Sequence, residues 1–193
     1  KGIVLLPHNE IRLEFDNDDS RNIIDVAELF HDNKLLVVSG DNPLEEMPGI
    51  SELPKIGVIS KIVHKIELPN GKVRVVIRGV MRAEVCEYLN LENTNETLES
   101  IVANINNEEL DPEEERVRIR KLYRELEEYI KMIPYMSNSV LSQIINVTEL
   151  GKVTDIIVPH MPISFEHMHD YLKETSATAR MEMLLEDIYH EKE

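Results

Sequence analysis

Residues 67–85, ELPNGKVRVVIRGVMRAEV, decide how this chain is read. Apolar side chains alternate with polar and basic ones after Asn70-Gly71, and the segment before it, IGVISKIVHKIEL, is just as rich in β-branched residues. That is the pattern of two half-buried antiparallel strands meeting at a tight turn. Asn-Gly tolerates positive φ at both central positions, so a type I′ turn is expected, with a twist that suits the flanking strands. Val73, Val75 and Ile77 fall on one face and Lys72, Arg74, Val76 and Arg78 on the other. Gly79, in mid-strand, points to a bulge or bend of the kind that curls a sheet toward a barrel. Arg74, Arg78 and Arg82 are read as an outward row. An anion-binding row is one account of them, and a charged face that discourages edge pairing is the simpler one.

Working outward, residues 3–6 (IVLL) and 11–15 (IRLEF) read as strands, the second with clear alternation. Asp18, Asp19 and Ser20 offer helix caps ahead of Ile23, Ile24, Ala27 and Phe30, which share one helical face. Residues 35–39 (LLVVS) form a buried strand, and residues 97–105 (TLESIVANI) complete about six strands in a small, curled antiparallel sheet. Between them, residues 40–54 form a loop with three prolines and two glycines, long enough to suggest function or mobility.

The pattern changes at Asn106, which sets the expected division into residues 1–105 and 106–193. Asp111 as cap and Pro112 at the first helical position open a helix whose stripe is Ile119, Leu122, Tyr123, Leu126, Ile130 and Ile133, with Pro134 ending or kinking it. Further helices are expected around SNSVLSQIINV, over VTDIIVPHM, after a Ser164 cap, and from about Ser176 with Met181, Leu184, Leu185 and Ile188 inward. The fold class is α+β, a sheet followed by helices. Because Lys1-Gly2 runs straight into strand-like residues and the last helical pattern persists to Glu193, the sequence is expected to be a piece of a longer chain.

Composition narrows the functional classes. The 37 acidic against 21 basic side chains give a net charge of −16, which repels phosphate backbones, and there is no tryptophan to stack on bases. Nucleic acid is not an expected partner. Cys86 is the single cysteine, so no disulfide forms within the chain and two-cysteine zinc or redox motifs are excluded. With no leader and no apolar run of membrane length, a reducing, cytoplasmic setting is expected.

Catalytic patterns fail in turn. The Gly-Lys pairs at Gly71-Lys72 and Gly151-Lys152 lack the hydroxyl and upstream glycine of a phosphate loop, and no Gly-x-Ser-x-Gly elbow occurs. His160, His167 and His169 lie close together, but His-x-His on a helix spreads its side chains about 200° apart, and solvated positions explain them better than a metal. The acid runs 113–115 and 125–128 alternate with bases and read as ion-paired solvated faces. Helical methionines are read as core. In the Pro-rich loop, Met47, Ile50 and Leu53 are the candidates for contact with an apolar partner.

These residues carry a resemblance. Leu68-Pro69-Asn70-Gly71, Val73-Arg74-Val75, Gly79 and Arg82-Ala83 match Leu-Pro-Asp/Asn-Gly, Val-Arg-Val, Gly and Arg-Ala of the N-terminal domain of Lon, the ATP-dependent serine protease also called endopeptidase La. Gly2-Ile3-Val4-Leu5-Leu6-Pro7, the stretch 52–62, and Asp155-Ile156-Ile157 through Met161-Pro162-Ile163 to Tyr171-Leu172 extend the resemblance across nearly the whole chain. His8-Asn9-Glu10 departs from the family's Pro-Gly and apolar loop, and the middle helices match poorly. The resemblance implies a PUA-like pseudo-barrel followed by a helical bundle whose last helix leads toward an AAA+ module absent here. It further implies a non-catalytic part that recognises and tethers unfolded or degron-bearing proteins and supports a homohexamer. ATP and Mg would belong to the absent motor and no cofactor to this part. The alternative is a free-standing adaptor with the same fold.

Overall fold

The structure is a computed structural model that describes residues 2–44, 49–89, 97–133 and 139–193. The chain divides into two compact units, Lys1–Ile105 and Asn106–Glu193.

In the first unit, β3 (Ile56–Glu67) and β4 (Val73–Leu89) form the central hairpin. Its loop holds three residues rather than two: Leu68 N donates to Lys72 O at 2.8 Å, Gly71 N donates to Leu68 O at 3.0 Å, and Gly71 has φ 79° while Asn70 is not in the positive region. The expected type I′ turn is thus replaced by a turn over Pro69-Asn70 followed by a left-handed glycine. The reason is chemical. A two-residue Asn70-Gly71 loop would need a backbone N–H from Pro69 to close it, and proline has none.

The other edge of β4 is shared end to end. Its first part pairs with β1 (Glu10–Phe15), from Glu10 opposite Arg78 to Phe15 opposite Val73, and its last part with β5 (Glu99–Asn104), from Ala83 opposite Asn104 to Leu89 opposite Glu99. β2 (Lys34–Val37) pairs with the outer side of β3. The sheet is antiparallel, five-stranded and open. The sixth expected strand, residues 3–6, is not one: Leu5 and Leu6 are buried, but Pro7 lacks a donor and His8 has φ 67°, so the segment turns instead of pairing as a strand. It still reaches β4, for His8 N donates to Gly79 O at 2.8 Å and Gly79 N to Asn9 O at 2.9 Å. A Cβ at Gly79 would lie 2.6 Å from Leu6 O, so only glycine admits this crossing.

The register of β4 against β3 jumps between Gly79 and Met81, leaving Val80 as an extra residue that twists the strand. Beyond that jump the arginine row ends. Arg74 donates from Nη2 to Glu14 at 2.7 Å and Arg78 from Nε to Glu10 at 2.8 Å, each pair directly opposite on neighbouring strands, whereas Arg82 is only 5% exposed. β4 is an interior strand, so the arginines do not guard an edge. Two of them form cross-strand ion pairs, and the third is buried.

α1 (Asp18–Phe30) starts at Asn17, whose side chain accepts from Ser20 N at 2.7 Å, one residue before the expected caps. Its Ile24 and Ala27 join Leu5, Ile62, Val73, Val75 and Ile77 in the core, while Ile23 and Phe30 stay exposed.

The second unit holds α2 (Pro112–Met132), α3 (Ser139–Ile144), α4 (Leu150–Ile157), α5 (Phe165–Lys173) and α6 (Ala177–Lys192). Asp111, Ser164 and Ser176 cap α2, α5 and α6 through their side chains. All of α4 except Lys152 is buried, which makes it the central helix, flanked by Leu122 and Leu126 of α2 and Leu184 and Ile188 of α6 among the buried residues. The acids of α2 are only partly a solvated face. Glu115 caps α4 by accepting from Leu150 N at 2.7 Å, and Glu125 takes Lys192 of α6 at 2.9 Å. Met161 and Met181 are core, but Met132, at the end of α2, is 59% exposed, against expectation. The segment after Ile133, with Pro134 and Met136, lies outside the described residues.

Candidate functional site

β2 and β5 stand at opposite ends of the strand order, yet they line the same groove, of about 430 Å³. Curling of the sheet brings them together without closing it, and the groove occupies the gap. α1 contributes Ile23, Val26 and Ala27, β2 contributes Leu35 and Leu36, and β5 and its approach contribute Leu98 and Val102. Leu53 and Ile59 add to an apolar lining, with Tyr88 at the end of β4. The Tyr88 hydroxyl donates to Pro54 O, fixing the end of β4 to the loop that enters β3, and burial raises its pKa. His31 Nε2 lies 3.7 Å from Glu99 Oε1 across the mouth, between the end of α1 and β5.

Apolar surface surrounds the opening. Ile23 is 43% exposed, Leu98 47%, and Leu29 and Phe30 of α1 75% each. Isolated exposed residues of this kind are ordinary, but several beside one apolar groove form a surface that gains from covering by another apolar group.

Of the loop residues read from the sequence, Leu53 lines this groove, Ile50 is 37% exposed and is not part of the lining, and Met47 lies outside the described residues. The residues of α1 and β5 were missed. The signal was present in α1, where the doublets Ile23-Ile24 and Leu29-Phe30 place apolar groups on more than one helical face.

Polar clusters elsewhere are structural. His167 on α5 meets Asp187 on α6 through Nε2 at 2.9 Å and Asp170 through Nδ1 at 3.4 Å; burial lowers its pKa, and the two carboxylates outweigh that and raise it. Tyr171 donates to the same Asp187 and, with burial added, its hydroxyl is pushed far up. His169 is not solvated as expected: it is 4% exposed and packs edge-on against Phe165, one helical turn away, at 4.7 Å. His160 is exposed in a short 3₁₀ turn, its pKa lowered by desolvation. Among the described residues no group of three or more His, Cys, Asp or Glu is arranged to hold a metal ion, and no helix is long and apolar enough to cross a membrane. An acidic hollow lined by Glu108, Glu109, Glu115 and Glu149 is occupied with capping: Glu108 accepts from Thr178 N at 3.2 Å and Ser176 Oγ at 3.0 Å, which holds its pKa down.

The fold and groove have a counterpart in known proteins. The substrate-binding domain of ATP-dependent protease La (LON) matches residues 1–188, and the chain belongs to that family. It is 27% identical over 194 residues to Lon protease of Bacillus thuringiensis (strain Al Hakam) and 25% identical over 193 residues to that of Brevibacillus choshinensis, in each case over 100% of this chain and 24% of the relative. The chain therefore spans about a quarter of the length of these curated relatives. The N-terminal domain of Lon protease from the Mycobacterium avium complex superposes with a TM-score of 0.74 at 18% identity, covering 96% of this chain and 92% of that one. A Lon N-terminal domain protein from Xanthomonas campestris superposes with a TM-score of 0.62 at 17% identity, covering 95% and 92%.

Proposed function

We propose that this chain is the recognition part of an ATP-dependent Lon serine protease, which grips unfolded or degron-bearing proteins by exposed apolar segments and helps the full-length protein assemble as a hexamer. Hydrolysis and the use of ATP and Mg would belong to modules outside this sequence. The observation that carries the reading is the apolar groove between α1, β2 and β5 in a member of a substrate-binding family. Unfolded proteins have in common exposed apolar side chains rather than one coded motif, and a greasy groove with an apolar rim selects for that. The net charge of −16 keeps the unit soluble despite this rim.

The test is to replace Ile23, Leu53 and Leu98 together with serine and measure capture of a reduced, carboxymethylated, permanently unfolded protein by fluorescence anisotropy. Capture is expected to weaken at least tenfold with little change in melting temperature, since Ile23 and Leu98 are 43% and 47% exposed. Undiminished capture would remove the groove from the recognition surface.

A further inference from the structure

We infer that the groove takes its occupant as a β-strand: an extended apolar segment flanked by lysine or arginine, lying between β2 and β5 and hydrogen-bonded to their edges. This rests on the reading that the groove holds polypeptide, and it names the conformation and chemistry of what is held.

The lining itself points this way. Successive side chains of a strand project to opposite faces, so a groove that lies against a face touches every second residue. Here it touches neighbours in sequence, Lys34, Leu35 and Leu36 on one side and Leu98, Glu99 and Ser100 on the other. The groove therefore runs along the strand edges. Among the described residues, the backbones of Leu35 to Val37 and of Glu99 to Asn104 make backbone hydrogen bonds only along their ladders with β3 and β4. Each strand thus presents an unpaired row of N–H and C=O groups to the gap, and an added strand satisfies such a row.

Charge selects the sequence of the occupant. α1, which walls the groove, carries Asp18, Asp19, Asp25 and Glu28 against Arg21, and the whole chain has a net charge of −16. A segment with basic flanks is drawn to this surface and an acidic one is repelled. Alternating apolar residues would meet Leu35, Leu36, Val102 and the α1 side chains while the intervening residues face out.

The probe is the labelled peptide Lys-Lys-Val-Thr-Leu-Thr-Val-Thr-Lys-Lys, titrated with the full chain. Two analogues carry backbone N-methyl groups on alternate central residues, one for each parity, which removes donors while keeping every side chain. Binding of the parent, a loss of tenfold or more in at least one N-methylated analogue, and slowed amide exchange in residues 34–37 or 99–104 are the expected results. Equal binding of the parent and both analogues would overturn strand addition while leaving the groove as an apolar site. Failure of the parent to bind, together with undiminished capture by the triple-serine variant, would overturn the groove reading and this inference with it. A counterpart with Glu in place of the four lysines should bind at least threefold more weakly, and equal binding would overturn the charge preference. If the chain sediments as a dimer that the peptide dissociates, the natural occupant is a second copy, and the inference of a basic apolar partner falls.

Discussion

Asp155 and Arg180 meet inside the helical unit, with Arg180 Nε 3.4 Å from Asp155 Oδ1 and the residues 2% and 1% exposed. Arg180 also donates from Nη1 to Glu174 O at 2.8 Å, and its guanidinium fills the space where a side chain at Gly151 would stand. Removing one partner leaves a charge in the core. Asp155→Ala should destabilise the helical unit by about 3–5 kcal/mol, and Asp155→Leu combined with Arg180→Leu should recover most of that. Urea unfolding followed by far-ultraviolet circular dichroism checks both, and a double variant as unstable as the single one would contradict the account.

His167 gives the same unit a dependence on pH. Its pKa is raised on folding, with the carboxylates of Asp187 and Asp170 overcoming the lowering by burial. A group raised on folding contributes stability that is complete below its unfolded pKa, about 6.5, and is lost as pH rises through the folded value. Thermal melting between pH 5.5 and 8.5 should therefore show the helical transition falling as pH climbs past the mid-sixes. His167→Gln should flatten this slope, and an unchanged slope would assign it to other groups.

At Gly79 the constraint is steric. A Cβ there would lie 2.6 Å from the Leu6 carbonyl oxygen, a backbone atom that cannot move without displacing the buried Leu5 and Leu6. Gly79→Ala should destabilise the β unit by about 1–3 kcal/mol, the usual range for overpacking. Differential scanning calorimetry is the direct check, with the helical transition serving as an internal reference.

The three arginines of β4 should separate on mutation. Arg74 and Arg78 pair with Glu14 and Glu10 at side chains roughly half exposed, so Arg74→Ala and Arg78→Ala should each cost less than about 1 kcal/mol and diminish further in salt. Arg82→Ala, at a residue 5% exposed, should cost about 2 kcal/mol or more. Equal effects at all three positions would restore the idea of a single surface row.

What could be read in the sequence was local. The hairpin, the division of elements into strands followed by helices, and the caps Asp111, Ser164 and Ser176 depend on neighbours in sequence and were visible there. The turn type was not, because the Asn-Gly signal outweighed the missing donor of Pro69. Residues 3–6 have strand composition, but Pro7 and the positive φ of His8 divert them. The groove is assembled from α1, β2, Leu53 and β5, and only curling of the whole sheet brings these together, so the loop residues Met47, Ile50 and Leu53 were a partial guess. The Asp155–Arg180 pair joins two different helices and leaves no local pattern.

β4 serves as the common partner of β1, β3 and β5, and this sets an order of events during synthesis. β1 emerges from the ribosome some 60 to 68 residues ahead of the arginines it must meet, Glu14 waiting for Arg74 and Glu10 for Arg78. The β3–β4 hairpin closes over three residues and can form as soon as it is exposed, but until then the opening third of the chain has apolar strands and no ladder to join. A nascent chain paused before Val73 would display, for its own part, the same kind of unpaired apolar segment that the finished domain is proposed to hold.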